Sequence, residues 1–216
     1  MTTRVLLAGG TGLVGGLLAD RLRKRPDVEL ESLVRSPSHP GDCAVDFEVL
    51  AADPTLEGGG IPIDVGICCL GTTLRKAGSR PAFRRVDHDY VVAFAQAAKA
   101  RGADRFILVS SVGAGGRSFY LRVKGETEAS VAALGFRRLD LIRPSLLLGP
   151  RADRRPAEQI GQVIAPLLNP LLRPGLARYA AVDASVVAGA IERLSSCTDP
   201  GVRIHHVPDL VGLAAD

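Results

Sequence analysis

The chain has 216 residues, of which 46% are hydrophobic, so it can bury a core and is not disordered in composition. Its formal net charge of +4 comes from basic residues scattered among acidic ones. There is no basic run with interleaved aromatic residues, so we expect no nucleic-acid binding. No apolar run approaches the roughly 20 residues of a membrane span, and the N-terminal apolar run leads straight into glycines, unlike a signal peptide. We therefore expect a cytoplasmic protein that does not bind membranes.

Short apolar runs alternate with stretches of helical periodicity from the N-terminus onward. The predicted strands lie at 4–10, 28–35, 63–72, 105–111 and 139–149, and the predicted helices at 12–26, 82–103 and 118–133. One more strand and a short helix are expected within 41–53. Because near-continuous apolar strands alternate with helices, the sequence predicts an α/β fold of the Rossmann type, with a doubly wound parallel sheet covered on both faces.

The composition changes from about residue 151, where prolines become frequent. The segment contains an apolar helix near 157–168, a second helix near 184–195 and a strand at 202–207. It is too short to form an independent core. We therefore expect a single domain over 1–216, in which residues 151–216 form a small C-terminal substrate cap over the carboxyl edge of the sheet.

A glycine-rich loop follows the first predicted strand. The stretch VLLAGGTGLVGG places Gly9, Gly12 and Gly15 between that strand and the first helix. In a dinucleotide-binding loop the first glycine permits the tight turn, the second lets a pyrophosphate approach the backbone, and the third lets helix and strand pack closely. The N–H groups at the helix start then attract the phosphates. This context predicts NAD(P) binding.

The end of the second predicted strand distinguishes the two nucleotides. An acidic residue there would bind the ribose hydroxyls of NAD, but this strand ends in Arg35, beside Ser36. A guanidinium can pair with the 2′-phosphate of NADP through charge-assisted hydrogen bonds. Glu29 and Glu31 lie earlier, inside the strand. We therefore expect NADP(H) to be preferred, with NAD(H) as the alternative.

A tyrosine and a lysine stand four residues apart in FYLRVKGE, at Tyr120 and Lys124. Chance would give about 0.06 such pairs in a chain with this composition. On a helix the two share a face, and this helix follows a strand that closes with Ser110 and Ser111 at the ligand-binding edge of the sheet. A phenol titrates near pH 10, and a nearby ammonium favours its phenolate form. A serine hydroxyl can hold the substrate oxygen, so the set is suited to acid/base chemistry beside a hydride donor.

Five motifs together resemble those of the atypical short-chain dehydrogenases/reductases, and more narrowly of the Tat-interacting-protein-like oxidoreductases and their small bacterial relatives. They are LLAGGTGLVGG, CCLGTT, LVSSVGA, FYLRVKGETE and IRPSLLLGPR, in this order over about residues 4–151. The resemblance implies catalytic roles for Ser111, Tyr120 and Lys124, with Ser110 as the alternative to Ser111. It implies cofactor contacts from Gly9, Thr11, Gly12, Leu13, Val14, Gly15, Arg35, Leu70, Gly71, Thr72, Ser110, Arg143, Pro144 and Ser145.

The sequence departs from this family in two places. Many relatives carry an asparagine in the helix before the serine strand, where this chain has Asp87, which puts an asparagine-ordered proton relay in doubt. The C-terminal segment is also small, so a nucleotide sugar would find little to contact, which argues against an epimerase. The two long helices at 82–101 and 118–133 could form the four-helix contact by which members of this superfamily often dimerise.

The remaining polar residues suggest no further site. His205 and His206 adjoin in a strand, so only one can face any ligand, and we expect no metal site. His88 lies between two aspartates on a solvated helix face. None of the four cysteines forms a C-x-x-C pair, and small buried thiols explain them. The basic stretch 75–85 is predicted to be a mobile loop near the mouth of the cofactor site, which either closes over the ligand or is simply a solvated loop.

The sequence thus predicts an NADP(H)-dependent oxidoreductase acting on a small carbonyl or alcohol. One alternative is an NADPH-binding regulatory or scaffold protein with little turnover, which the small cap and Asp87 favour. A further alternative is an epimerase or dehydratase that retains its NAD(P).

Overall fold

The computed structural model describes residues 2–55, 61–149 and 174–215. The strands are β1 Thr3–Ala8, β2 Val28–Val34, β3 Asp42–Ala44, β4 Val65–Cys68, β5 Arg105–Val109, β6 Arg138–Ile142, β7 Leu147–Leu148, β8 Val182–Asp183 and β9 Gly201–His205. The α-helices are α1 Leu13–Arg23, α2 Phe47–Ala52, α3 Leu74–Ala77, α4 Arg80–Arg84, α5 Tyr90–Ala100, α6 Phe119–Ala132, α7 Ala184–Ser195 and α8 Val207–Ala215.

Seven of these strands form one parallel sheet, in the order β3-β2-β1-β4-β5-β6-β9. The chain runs outward from β1 to β3 and then crosses back to β4 on the other side of β1. That reversal creates a crevice outside the carboxyl ends of β1 and β4, where open α/β sheets bind their ligands. The predicted Rossmann-type fold is confirmed, including the strand and short helix expected within 41–53.

Alternating side chains of the strands fill a core on each face of the sheet. On β1, Val5 and Leu7 pack with α1, α7 and α8, whereas Leu6 packs on the opposite face with α2, α5 and α6. All three leucine and valine side chains are fully buried. This two-sided burial explains why the central strands are apolar throughout and holds their carboxyl ends rigidly at the crevice.

The basic stretch predicted as a loop is instead helical. The hydroxyls of Thr73 and Ser79 cap α3 and α4 by accepting from Lys76 N and Ala82 N. Between the two helices Gly78 adopts a positive φ of 79°, which ends α3. The loop prediction was wrong because two adjacent cap signals in a short basic stretch were not recognised.

The helix predicted at 82–103 is divided in the structure. It consists of α4, a single π-helical turn at Arg85–Asp89, and α5. Gly102, with φ of 91°, follows the end of α5. A π turn inserts one residue into the helix and is frequent at functional sites.

Part of the segment predicted as a C-terminal cap belongs to the main fold. The helix α7 packs on α1, and β9 pairs with β6 at the edge of the sheet. Among the described residues, β7 and β8 form a separate two-stranded parallel sheet, with Leu147 opposite Val182. The helix predicted near 157–168 lies outside the described residues, so the cap itself stays a prediction.

Within the described ranges, no helix combines the length and the apolar character that crossing a lipid bilayer would require.

Candidate active site

A cavity of about 690 Å³ lies at the carboxyl ends of the central strands. Its walls come from the loops after β1, β4 and β5, from one face of α6, and from the segment after β6. Thirteen of the predicted site residues line it: Thr11, Gly12, Leu13, Val14, Leu70, Gly71, Thr72, Ser110, Ser111, Tyr120, Lys124, Pro144 and Ser145. The structure therefore gathers side chains that lie up to 134 positions apart in the sequence, from residue 11 to residue 145, around one space.

Two of the three glycines of the first loop serve backbone packing rather than the cavity wall. Gly9 has φ of 83°, and a Cβ there would lie 2.5 Å from the carbonyl carbon of Cys69. A Cβ on Gly15 would lie 2.1 Å from the carbonyl oxygen of Gly9. Both glycines are packed against backbone and do not line the cavity. They act by letting β1, α1 and the end of β4 approach closely.

Gly12 is the glycine that faces the cavity. A Cβ on it would meet nothing closer than the carbonyl oxygen of Gly9, at 3.3 Å, so its missing side chain leaves space on the cavity side. It also caps α1, whose first turn has no side-chain cap and no acidic residue. The N–H groups and positive dipole end of an eleven-residue helix thus face a cradle that suits phosphates. The loop fits the pyrophosphate of a dinucleotide.

The serine and tyrosine come close because the loop between β5 and α6 is compact. A Cβ on Gly125 would lie 2.6 Å from Cα of Gly115, so the missing side chain lets the loop rest directly on α6. The hydroxyl of Ser118 caps this helix by accepting from Leu121 N at 3.2 Å. Eight intervening residues therefore suffice to bring both Ser111 and Tyr120 to the cavity wall.

Two serines end β5 at the cavity. Ser111 Oγ donates to the carbonyl oxygen of Val112 at 3.3 Å, a weak bond that a substrate oxygen could replace. Ser110 is 7% exposed, and its Oγ has no hydrogen-bond partner among the described residues. A buried hydroxyl of this kind costs stability unless something pairs with it. Both serines are thus available to a bound ligand.

Tyr120 lies in the first turn of α6 and is held by aromatic packing. Its ring centroid is 5.5 Å from that of Phe83, which is fully buried in α4. Phe83 also contacts Phe119, with ring centroids 5.9 Å apart. Phe83 therefore holds the ring of Tyr120 from the side of α4, and the ring still lines the cavity.

Lys124 lies one helical turn beyond Tyr120 and forms a buried ion pair with Asp87. Its Nζ is 2.8 Å from Asp87 Oδ1, and the two side chains are 8% and 0% exposed. Asp87 Oδ2 accepts from the backbone N–H of Thr72 at 2.8 Å. Sequence reasoning identified Asp87 only as a departure from the family pattern. The spacing of charges in the sequence does not indicate that a π turn places Asp87 beside Lys124.

The two charges of this pair influence each other strongly. Burial alone would lower the pKa of Lys124, but the Asp87 carboxylate, together with Tyr120, raises it above its ordinary value. Burial raises the pKa of Asp87, against the opposing effects of Lys124 and of the Thr72 N–H. We therefore expect a protonated Lys124 at the cavity at neutral pH.

Two predicted arginine contacts do not line the cavity. Arg143 binds Glu128 through two hydrogen bonds, of 3.0 and 2.5 Å, so its guanidinium already has a partner in the fold. The contact predicted for Arg143 is therefore absent from the cavity wall, although Pro144 and Ser145 are present there. Arg35 is exposed at the end of β2, as predicted, and forms no ion pair with any described residue.

The acidic residues of β2 are engaged elsewhere. Glu31 binds Arg101 through two hydrogen bonds of 2.6 Å each, and Glu29 pairs with Arg4 at 3.3 Å. Neither carboxylate ends the strand, so neither occupies the place of a ribose-binding acid. Arg35 therefore remains the charged side chain at the position that distinguishes the two nucleotides.

Several wall residues were missed by sequence reasoning. Besides Asp87 they are Leu17, Cys69, Thr73, Lys76, Val109, Leu146 and Leu147. Cys69 and Val109 lie at the carboxyl ends of β4 and β5. Their neighbours were predicted, so the rule that ligands bind at carboxyl ends could have found these two. Leu146, which is 48% exposed, and Leu147 give the wall beyond Ser145 an apolar character.

The cysteines are buried less uniformly than predicted. Cys68 is fully buried, but Cys43 is exposed. Cys68 and Cys69 pack on opposite faces of the sheet, as expected for adjacent residues of a strand. Burial raises the pKa of both thiols, that of Cys68 to about 12, so neither is a thiolate at neutral pH. Within the described ranges no three histidine, cysteine or acidic residues are grouped so that they could hold a metal ion.

Comparison with known proteins agrees with this geometry. Residues 9–134 match a family model described as NAD(P)H-binding. The chain is 50% identical over 121 residues to Protein HTATIP2 of Rattus norvegicus, a match that covers 55% of this chain and 48% of that protein. It is 33% identical over 204 residues to Protein FMP52, mitochondrial, of Coccidioides immitis, covering 85% of this chain and 82% of that protein. The cytoplasmic location stays a prediction.

Solved structures share the fold at low sequence identity. A human epimerase family protein, SDR39U1, with NADPH superposes with a TM-score of 0.64 at 18% identity, covering 95% of this chain and 75% of that one. RMD from Pseudomonas aeruginosa, complexed with NADPH, gives 0.65 at 20% identity, covering 95% and 78%. These structures show the shared fold. The match to the family model over residues 9–134, together with the relative that is 33% identical over 85% of the chain, shows that the chain belongs to the NAD(P)H-binding family.

Proposed function

We propose that the protein is an NADP(H)-dependent oxidoreductase that reduces a small carbonyl compound or oxidises the corresponding alcohol. The observation that carries this proposal is the convergence of Ser111, Tyr120 and Lys124 on the cavity that the glycine loop borders. A surface helix that merely happened to carry the tyrosine–lysine spacing would have no reason to share a wall with that loop.

The dinucleotide would supply or accept the hydride when bound. The N-terminus of α1, with Gly12, would hold its pyrophosphate. Lys124 would bind hydroxyls of the nicotinamide ribose, because an ammonium has three donors and Asp87 takes only one.

Three side chains would handle the substrate oxygen. The hydroxyl of Ser111 would orient it, and Tyr120 Oη would give it a proton in reduction or take one in oxidation. The charge of Lys124 would stabilise the phenolate that forms when Tyr120 gives up its proton. The apolar wall at Leu146 and Leu147 would favour substrates with an uncharged body.

A screen of aldehydes and ketones, followed by NADPH absorbance, tests this proposal. We expect consumption of NADPH with at least one class of small carbonyl. If the protein binds NADPH but consumes none across the screen, and captures a partner only when NADPH is bound, the regulatory alternative replaces it. If it retains cofactor and isomerises a substrate with no net consumption, it is an epimerase.

The preference for NADP(H) is assigned to Arg35, and replacing this residue tests the assignment. We expect Arg35→Ser to weaken NADPH binding about tenfold or more while NADH binding changes little, because only NADPH carries the 2′-phosphate. Calorimetric titration of both nucleotides measures the two effects. The matched control is Arg122→Ser, which removes the same charge from an exposed position on α6 outside the cavity wall. Equal weakening of both nucleotides by Arg35→Ser would contradict the assignment.

A further inference from the structure

The π turn at Arg85–Asp89 brings an unusual side chain to the cavity wall. Asp87 is 0% exposed and lines the cavity. Its Oδ2 accepts from the backbone N–H of Thr72, whereas its Oδ1 lies 2.8 Å from Lys124 Nζ as an ion pair and has no aligned hydrogen bond among the described residues. A buried carboxylate is costly unless it is paired and hydrogen-bonded. The fold meets that requirement with groups of the candidate active site alone.

The same turn is tied to α6 a second time. The carbonyl oxygen of Asp87 lies 2.9 Å from Thr127 Oγ1, whose single proton it shares with the carbonyl oxygen of Val123 at 2.8 Å. Thr127 lies three residues after Lys124, so both contacts come from one face of α6, the face that also carries Tyr120. The helix is therefore held in rotation by two contacts to one residue.

The loop after β4 lies in contact with this pair. A Cβ on Gly71 would lie 3.4 Å from Asp87 Oδ1 and 3.7 Å from Lys124 Nζ. The pair thus rests against the Gly71–Thr72 backbone and fixes the ammonium there. The titratable groups that face the Lys124 amine are Asp87 from the π turn, Tyr120 from α6 and Cys68 from β4. Asp87 is the acid among them that contacts it.

We propose that Asp87 is a positioning residue that acts through Lys124: its carboxylate keeps the buried ammonium protonated and fixes it at the Gly71–Thr72 turn, one helical turn from Tyr120. The effect of Asp87 on the protonation and position of Lys124 does not require a bound cofactor. The expected effect on turnover rests on the proposed function, because the acid/base reaction requires a positively charged Lys124 beside the phenol of Tyr120. Asp87 would thus have a direct task at the position where relatives carry asparagine.

The test is competitive acetylation of the cofactor-free protein with acetic anhydride, read by mass spectrometry. The chain has four lysines, and the exposed Lys24 serves as an internal reference in every sample. In Asp87→Asn the oxygen of the side-chain amide can still accept from Thr72 N. The substitution therefore removes the negative charge and keeps the hydrogen bond to Thr72. Without the carboxylate, burial lowers the pKa of Lys124, and a decrease of one unit gives about ten times more free amine below the pKa.

We therefore expect Asp87→Asn to raise the labelling of Lys124 relative to Lys24 by about tenfold or more. The control is Asp89→Asn, which removes a half-buried carboxylate two residues away that pairs with His88 and Arg85 instead of Lys124. Lys124 should label in this variant as it does in the wild type. If Asp87→Asn fails to fold, the labelling of the wild type is measured as a function of pH. The pH at which the labelling rate of Lys124 reaches half its maximum should lie above the corresponding pH for Lys24. Unchanged labelling in the variant, or a half-maximal pH for Lys124 below that of Lys24, would overturn the proposal.

Turnover measurements separate this proposal from the proposed function. In a protein that reduces carbonyls, Asp87→Asn should lower kcat more than it raises KM and should shift the pH profile. It should have little further effect in a Lys124→Met background, because Asp87 then has nothing to act through. If Asp87→Asn changes the labelling of Lys124 but the wild-type protein reduces no carbonyl, the role of Asp87 toward Lys124 is supported and the proposed oxidoreductase function is rejected.

Discussion

Replacing Tyr120 with phenylalanine is expected to lower kcat at least about 100-fold while leaving NADPH affinity nearly unchanged. The variant keeps the ring that packs on Phe83 and loses only the hydroxyl that would exchange a proton with the substrate oxygen. The neighbouring ion pair of Lys124 and Asp87 does not use that hydroxyl, so the cavity wall should persist. Steady-state kinetics with the best carbonyl substrate, combined with calorimetric titration of NADPH, measures both quantities.

The matched control is Tyr90→Phe. Tyr90 lies at the start of α5, where its hydroxyl donates to Glu48 outside the cavity wall. This variant should keep wild-type kcat. Turnover that survives in Tyr120→Phe would rule out the assigned acid/base. A parallel loss of NADPH binding would instead mean that the hydroxyl serves the cofactor rather than the proton.

Gly15→Ala is expected to destabilise the protein by about 1–3 kcal/mol or more, because it overpacks the junction of β1 and α1. The new Cβ would lie 2.1 Å from the carbonyl oxygen of Gly9 and 2.8 Å from its carbonyl carbon. Both are backbone atoms of the tight turn, so they cannot move aside as a flexible side chain would. The free energy of unfolding, from urea denaturation followed by circular dichroism, measures the effect.

Gly16→Ala provides the control within the same helix. A Cβ on Gly16 would meet only the carbonyl oxygen of Gly10, at 3.4 Å, which is ordinary contact. Alanine favours a helix interior over glycine by about 1 kcal/mol, so this variant should be as stable as the wild type or more stable. Equal stability of the two variants would show that the close packing at Gly15 is not needed by the fold.

The fold was predictable because its signals are local and repeated. Continuous apolar strands such as 105–111 can only be buried on both faces, and the glycine loop between β1 and α1 marks the start of a dinucleotide fold. Most of the predicted cavity-wall residues come from the resemblance to the family. Tyr120, Lys124 and the serines at the end of β5 were also indicated by the residues themselves, because α6 follows β5, whose carboxyl end lies at the ligand-binding edge of the sheet.

The parts that could not be predicted depend on contacts between distant elements. Arg143 stands at the right edge of the sheet, but its partner Glu128 lies on α6, and nothing in the spacing shows that pairing. Asp87 reaches the cavity only because a π turn interrupts a helix whose periodicity reads as regular. A substitution of asparagine by aspartate therefore looked like a loss, whereas in the structure it creates an ion pair.

Calorimetric titration of the cofactor-stripped protein with NADPH, and then with NADH, tests the central claim most directly. The account predicts tight NADPH binding and NADH binding at least about tenfold weaker, which corresponds to about 1.4 kcal/mol. Such a result would connect the cradle at Gly12 and the charge of Arg35 to one ligand. Binding of neither nucleotide would mean that the glycine loop is only a turn in this protein, and that Tyr120 and Lys124 face the cavity for structural reasons alone.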